Sequence, residues 1–224
     1  MLDLPDYRTL RQANWDDCWF LSALVGMAHQ RPQQLRDYVE LLGDGVYRVT
    51  FPDCEPQDVR PDEVASGTDS GPWPWARVCE AAAGRFGNLS APRVFTYGFG
   101  IGLLTGRSRT GYLNVTGMGF APVYRAWSRR AWFQDLLEEQ AGRRLMVLGG
   151  TDGRFRKPVH GWISPQHCYA VLGYDRGADR VHVRDPRGGD PPAERRDAHY
   201  GPGEFWLSAA ETEDSFCGLS VEAD

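Results

Sequence analysis

One cysteine of this chain stands where acyl chemistry is feasible. Cys18 lies in the stretch QANWDDCWFLSAL, between two aspartates and an apolar run, at the start of an expected helix. The orphan N–H groups and the dipole at a helix start favour a thiolate. A thiolate that attacks a carbonyl needs a base to take its proton and donors to meet the oxyanion that forms. Gln12 lies six residues upstream, and its amide can donate to that oxyanion if the chain turns between them. Asp16 and Asp17 would oppose a thiolate if their carboxylates faced the sulfur; they are expected instead to cap the helix from its side.

The base must come from five histidines. His29 lies on the helix that Cys18 begins and points away. His160, His167, His182 and His199 fall in the second half. His167, in PQHCYAVLGY, stands at the mouth of a strongly apolar strand, where it can face a cleft while its neighbours anchor the strand. Asp185, in VHVRDPRGG, ends the next strand and can accept from the imidazole and hold its tautomer. Taken singly, each residue has a plain structural reading. Cys18 is a small buried hydrophobe, His167 a satisfied core histidine, Asp185 a turn residue before Pro186, and Glu80 a solvated helix position. The combination carries the chemistry.

The elements that must position these residues follow from periodicity. Leu21, Leu24, Val25 and Ala28 continue the Cys18 helix at helical spacing. PQQLRDYVELLG predicts a second helix, with Pro near its start and Gly43 after its end. DGVYRVTF begins with a turn dipeptide and then alternates as a strand. PWARVCEAAAGRFG predicts a third helix ending at Gly84 or Gly87. From about residue 88 to 122 glycines are frequent and periodicity is weak, which predicts a lobe boundary or loops that approach a ligand closely. RAWFQDLLEEQAG predicts a helix. RRLMVLGG, HCYAVLGYD, RVHVRDP, GEFWLS and FCGLSVE predict strands separated by turns. The expected class is α+β, with a helical lobe over residues 1–112 and a β-rich lobe over 113–224.

Composition narrows the function classes. The 224 residues suffice for one large domain or two small lobes. A net charge of −5 argues against general nucleic-acid affinity. The longest apolar run, LSALVGMA, is too short to span a membrane, and MLDLPDYRTLRQ lacks the pattern of a signal peptide. The expected protein is soluble, in the cytoplasm or delivered as a domain of a secreted effector. The five cysteines form no C-x-x-C pair, so a zinc knuckle or dithiol redox motif is not expected.

QANWDDCWFLSAL resembles the active-site segment of the calpain family of cysteine proteases, with Gln, five residues, then Cys-Trp and an apolar helix. The similarity continues in order. GVYRVTFPDCEPQDVRPDEV is similar to the short strands after the calpain active-site helix. PWARVCEAAAGRFGN resembles the family's Leu-Glu-Lys-Ala-Tyr helix, and QHCYAVLGY its catalytic histidine strand. VRDPRGG lies where the family has Arg-Asn-Pro-Trp-Gly, and GEFWLS resembles Gly-Glu-Phe-Trp-Met-Ser. The resemblance covers nearly the whole chain and is weakest over residues 89–131.

The resemblance implies a papain-like two-lobe fold with its active site in the cleft. It makes Cys18 the nucleophile and His167 the general base, and gives the oxyanion to Gln12 and the backbone N–H of Cys18. Asp185 takes the place of the family's Asn. Arg187 replaces the Trp that shields the histidine; its guanidinium can stack on or pair with Asp185. Family calcium sites need several oxygen ligands. Here Glu80 matches one such position, its partner falls near Thr9, and the acidic positions after DPRGG become Asp190, Pro191 and Pro192. No cofactor is therefore expected, and activity is expected to be independent of calcium or to depend at most on one degenerate site that includes Glu80. The implied function is a cysteine endopeptidase acting on protein or peptide substrates. By analogy it is a bacterial-type effector or toxin core restrained by an inhibitor or immunity protein, with no nucleic-acid or membrane partner. Two alternatives use the same residues: a Cys-His-Asp acyltransferase or deamidase with transglutaminase-like chemistry, and an inactive peptide-binding homologue.

Overall fold

A computed structural model describes residues 2–13, 15–64, 73–86, 98–107, 109–113, 125–126, 130–151 and 157–224. In chain order the elements are α1 (Cys18–Gln30), α2 (Pro32–Asp37), β1 (Val39–Gly43), β2 (Val46–Val49), β3 (Gln57–Val59), α3 (Pro61–Val64), α4 (Trp75–Ala83) and α5 (Phe99–Thr105). They continue with β4 (Arg109–Leu113), β5 (Arg125–Ala126), α6 (Arg130–Gln140), β6 (Met146–Gly150), β7 (Cys168–Asp175) and β8 (Arg180–Arg184). The last are β9 (Glu204–Leu207), α7 (Ala209–Ser215) and β10 (Phe216–Glu222). The class is α+β. Among the described residues a small sheet has the order β1-β2-β3, and a larger one the order β5-β4-β10-β6-β7-β8-β9. Ladders are antiparallel except the β4–β5 pair. Arg109–Leu113, which straddles residue 112, pairs with β10 in the larger sheet.

Helix α1 is the centre of the molecule. Every residue from Trp19 to Ala28 is buried, Ser22 and Gly26 included, so the helix is enclosed on all sides and not amphipathic at a surface. One side meets Leu145 and, in β6 and β7, Val147, Cys168, Ala170 and Leu172. Others meet α2, α4 and α5. Burying a leucine such as Leu21 or Leu24 completely stabilises the fold by about 1.5–3 kcal/mol each. The opposite face of the larger sheet, with Leu148, Tyr169 and Val171, packs under Phe133 and Leu137 of α6 and against Phe205 and Phe216. Strands β6 and β7 are thus covered on both faces, which is why their sequences read as continuous apolar runs.

Two expectations are corrected. The second helix stops at Asp37, and Val39–Gly43 is a strand. Its apolar spacing looks helical, but Val39 pairs with Val49 across a hairpin, and Leu41 and Leu42 are left 52 % and 43 % exposed. Tertiary pairing has overridden local propensity. The glycine-rich stretch carries α5, packed on α1, where loops were expected; residues 87–97 and 114–124 lie outside the described set. Gly100 explains the composition. A Cβ there would stand 3.0 Å from the Phe20 Cα and the Trp19 carbonyl oxygen, so glycine lets the two helices meet. Among the described residues no helix is long and apolar enough to cross a membrane.

Candidate active site

The start of α1 and the adjoining ends of β7 and β8 bring Cys18, His167 and Asp185 together. Cys18 is the first residue of α1 and is half-buried. His167 directly precedes β7 and is 1 % exposed. Its backbone is fixed on both sides: Gly150 N–H donates to the His167 carbonyl at 2.7 Å, and Gln166 N–H donates to the Thr151 carbonyl at 2.6 Å. Asp185 directly follows β8, and its N–H donates to the Gly203 carbonyl at 2.9 Å.

His167 Nε2 lies 2.8 Å from Asp185 Oδ1. A carboxylate only accepts, so Nε2 carries the proton and donates. The same oxygen accepts the Arg187 backbone N–H at 2.8 Å. Nδ1 has no hydrogen-bond partner among the groups around it. This is the nitrogen left for the Cys18 thiol, whose electrostatic influence reaches His167 and is returned by it.

The electrostatics follow. The Cys168 S–H, donating to Cys18, does most to hold the Cys18 thiol down to about 5; burial opposes it, and His167 adds a hydrogen bond and its charge. Burial would push His167 down, but its hydrogen bonds to Asp185 and Cys18 outweigh burial and raise it. Both shifts favour a thiolate–imidazolium pair. Cys168 itself is pushed well up, chiefly by burial, and so keeps the proton it donates.

Gln12 is joined to both halves of the site. Its backbone N–H donates to the Pro186 carbonyl at 2.9 Å, next to Asp185. Its side-chain Nε2 donates to the Trp15 carbonyl at 2.7 Å and to Asp17 Oδ1 at 3.3 Å.

Two expectations are corrected here. Asp17 stands at the N-cap position of α1 but makes no side-chain cap; it turns inward, is 0 % exposed and meets Glu80 of α4. Arg187 neither stacks on nor pairs with Asp185 through its guanidinium, which reaches Ser164 Oγ at 3.4 Å; only its backbone serves Asp185. The ring beside His167 is Tyr169, edge-on at 4.9 Å with an interplanar angle of 79°. Tyr169 and Cys168 were not singled out from the sequence. A signal existed for Tyr169, because residues two apart on a strand share a face.

The residues do not fit the calcium site that the resemblance implies. The Glu80 carboxyl is 1 % exposed and meets Asp17. Thr9 Oγ1 donates to the Asp6 carbonyl at 2.8 Å, and the Asp6 carboxylate accepts the Arg8 N–H. Among the described residues no three of His, Cys, Asp and Glu are grouped to hold a metal ion. No family model matches the chain, and no curated protein matches it.

Proposed function

We propose that this chain is a calpain-like cysteine endopeptidase of papain-like, two-lobe design, acting without calcium on protein or peptide substrates. The observation that carries the reading is the His167 ring. It has one nitrogen bound to Asp185 and the other without a hydrogen-bond partner, and Cys18 at the start of α1 acts on the ring electrostatically.

The residues perform each step of hydrolysis. The Cys18 thiolate attacks the scissile carbonyl carbon; a C–S bond forms and the carbonyl electrons move to oxygen. The Cys18 backbone N–H and the Gln12 amide meet that oxyanion. Imidazolium Nδ1 gives its proton to the departing amine nitrogen as the C–N bond breaks, leaving a thioester on Cys18. Nδ1 then takes a proton from water, the hydroxide attacks the thioester, and the thiolate leaves. Asp185 holds the ring in one tautomer and stabilises its charged form throughout. Tyr169 packs edge-on against the His167 ring.

N-terminal proteomics of a lysate digested with wild type and with Cys18→Ala tests the reading. New termini made by wild type alone are expected; equal cleavage by both proteins overturns it. A second reading is favoured by one observation, the carboxylate of Asp185 where papain-like proteases use an amide: a thioester resolved by an amine, or drawn from a glutamine side chain. Wild-type cross-links or deamidated glutamines without new termini would select that chemistry. An epoxysuccinyl probe that fails to label Cys18 in the folded protein would select a non-catalytic peptide binder.

A further inference from the structure

The smaller sheet has an open edge. In its order β1-β2-β3, β1 is an outer strand, and the sheet is separate from the one whose strands carry His167 and Asp185. Thr50 N–H donates to the Tyr38 carbonyl at 2.9 Å, which makes Tyr38 and Thr50 a hydrogen-bonded pair at the start of the β1–β2 ladder. Such pairs alternate along an antiparallel ladder. Glu40 therefore bonds toward Arg48, while the backbone N–H and C=O of Val39 and Leu41 point away from β2. Among the described residues no strand pairs with that side.

The side chains along this edge follow a pattern. Val39 and Leu41 share one face with Tyr47 and Val49 of β2 and Val59 of β3. Val49 and Val59 are fully buried, whereas Leu41 is 52 % exposed. On the opposite face Glu40, Arg48 and Asp58 form a row across the three strands, alternating in sign. The Arg48 guanidinium is committed to Asp58 by hydrogen bonds of 2.7 and 2.9 Å. Glu40 stands at the open end of the row and forms no ion pair among the described residues. A groove of about 470 Å³, ordinary for a ligand cleft, is lined by Leu2, Arg36, Asp37, Val39, Glu40 and Leu41. Arg36 is paired with Asp37, so Glu40 is the uncompensated charge of that lining.

We propose that the open edge of β1 docks an extended segment of a partner protein, which pairs with it as a fourth strand and sets a lysine or arginine opposite Glu40 between apolar residues. Backbone bonds to Val39 and Leu41 attach the segment, and its side chains select it. The basic residue completes the alternating row. Its apolar neighbours, opposite Val39 and Leu41, extend the buried face over the exposed leucine. In an antiparallel arrangement the pair at Glu40 is a non-hydrogen-bonded one, in which side chains stand closer. A second copy of this chain fits less well. The register that bonds Val39 to Leu41 across a two-fold sets one Glu40 against the other, and like charges directly opposite destabilise a sheet. The docking site does not depend on the peptidase reading.

The test uses the full chain carrying Cys18→Ala, so that a peptide probe stays intact. The probe is the capped peptide Val-Lys-Val-Lys-Val. Its comparators are Val-Glu-Val-Glu-Val, Val-Thr-Val-Thr-Val and the scramble Lys-Lys-Val-Val-Val, which has the same charge. Calorimetry is expected to show the alternating basic peptide binding about fivefold tighter than each comparator, the size of a cross-strand charge pair. Amide hydrogen exchange at Val39 and Leu41 is expected to slow when it binds. Glu40→Lys is expected to reverse the preference between the basic and acidic peptides. Leu41→Pro removes a donor that faces away from β2, a change an edge strand accepts, and is expected to abolish binding with the urea midpoint little changed. If that variant unfolds, the Glu40→Lys reversal decides. The proposal is overturned if the scramble or the threonine peptide binds as tightly, or if Glu40→Lys keeps the original preference. Unchanged exchange at Val39 and Leu41 also overturns it, because the peptide would then sit elsewhere. So does a dimer of the chain alone that Leu41→Pro dissociates, because a second copy would then hold the edge.

Discussion

At Cys18 two tendencies oppose each other. Burial favours the neutral thiol, while the Cys168 S–H and the His167 ring favour the thiolate and prevail. The expected consequence is selective alkylation. Iodoacetamide should modify Cys18 at an undiminished rate down to mildly acidic pH, with the rate falling as pH drops through about 5. Cys79, buried in the core and pushed up to about 12, should stay unmodified in the folded protein. Peptide mass mapping after timed labelling checks both. Asp185→Asn should keep the ring oriented but remove the charge that helps raise His167. Its imidazolium then loses its proton at lower pH, so the alkaline limb of the kcat/KM profile should move to lower pH relative to wild type. A limb that stays in place would mean Asp185 does not set the proton affinity of His167. Gln12, Cys18, His167 and Asp185 were singled out by order and residue type, which need no knowledge of packing, and the fold brings Cys18, His167 and Asp185 to one place. Cys168 and the inward turn of Asp17 were not legible, because each depends on which face of a strand or helix meets which neighbour. Composition and spacing do not encode that.

The elements place the site through a few exact-fit backbones. Gly203 opens β9 with φ +78°, and a Cβ there would stand 2.7 Å from the Asp185 carbonyl oxygen and 2.8 Å from the Gly188 Cα. Gly203→Ala therefore meets both a left-handed backbone and a collision with the turn that holds Asp185. It should cost about 1–3 kcal/mol in stability, read from urea denaturation, and lower kcat more than KM because Asp185 shifts relative to His167. Helix α7 shows the reverse case, a local signal that was present in the sequence but was not used. Ser208 and Glu211 form a capping box ahead of Ala209–Ser215, with Glu211 N–H donating to Ser208 Oγ at 3.1 Å and Ser208 N–H to Glu211 Oε2 at 2.9 Å. Ser208→Ala should cost about 1 kcal/mol without changing the kcat/KM of protein that remains folded. Helix α6 and strands β6 to β10 were readable in the second half, where turns separate apolar runs cleanly, whereas their order in the sheet was not. Val39–Gly43 was not, because its pairing with β2 is a tertiary event that helical-looking spacing conceals.

In the molecule as a whole, the segment before Gln12 straps the Cys18 side to the His167 side. Arg184, fully buried at the end of β8, donates from Nη2 to the Leu10 carbonyl at 2.8 Å. Gln12 N–H donates to Pro186, and Arg8 Nε donates at 3.1 Å to Glu204, a carboxylate buried at the start of β9 that also meets His182 Nε2 at 2.9 Å. Glu204 is the anchor. Burial would raise its pKa, but hydrogen bonds with His182 and Arg8 outweigh burial and hold it below 4.5. A carboxylate depressed in the folded state contributes stability that is fully present above its unfolded value and lost as pH falls through the lower folded value. Glu204→Gln keeps the shape and removes the charge. Near neutral pH it should cost about 1–3 kcal/mol, as charged hydrogen bonds do, and the gap to wild type should close as pH falls below the ordinary 4.5. Arg48 and Asp58 supply the contrast. They are as close, at 2.7 Å, but both are exposed, so Arg48→Ala should change stability by under about 1 kcal/mol. If the strap fixes the oxyanion donor, Glu204→Gln should also lower kcat more than it raises KM, whereas Arg48→Ala should leave both unchanged. Urea denaturation above and below pH 4.5, with peptide hydrolysis by the same two variants, decides this. A Glu204→Gln protein with wild-type kcat would show that Gln12 is positioned by its local contacts with Trp15 and Asp17 alone.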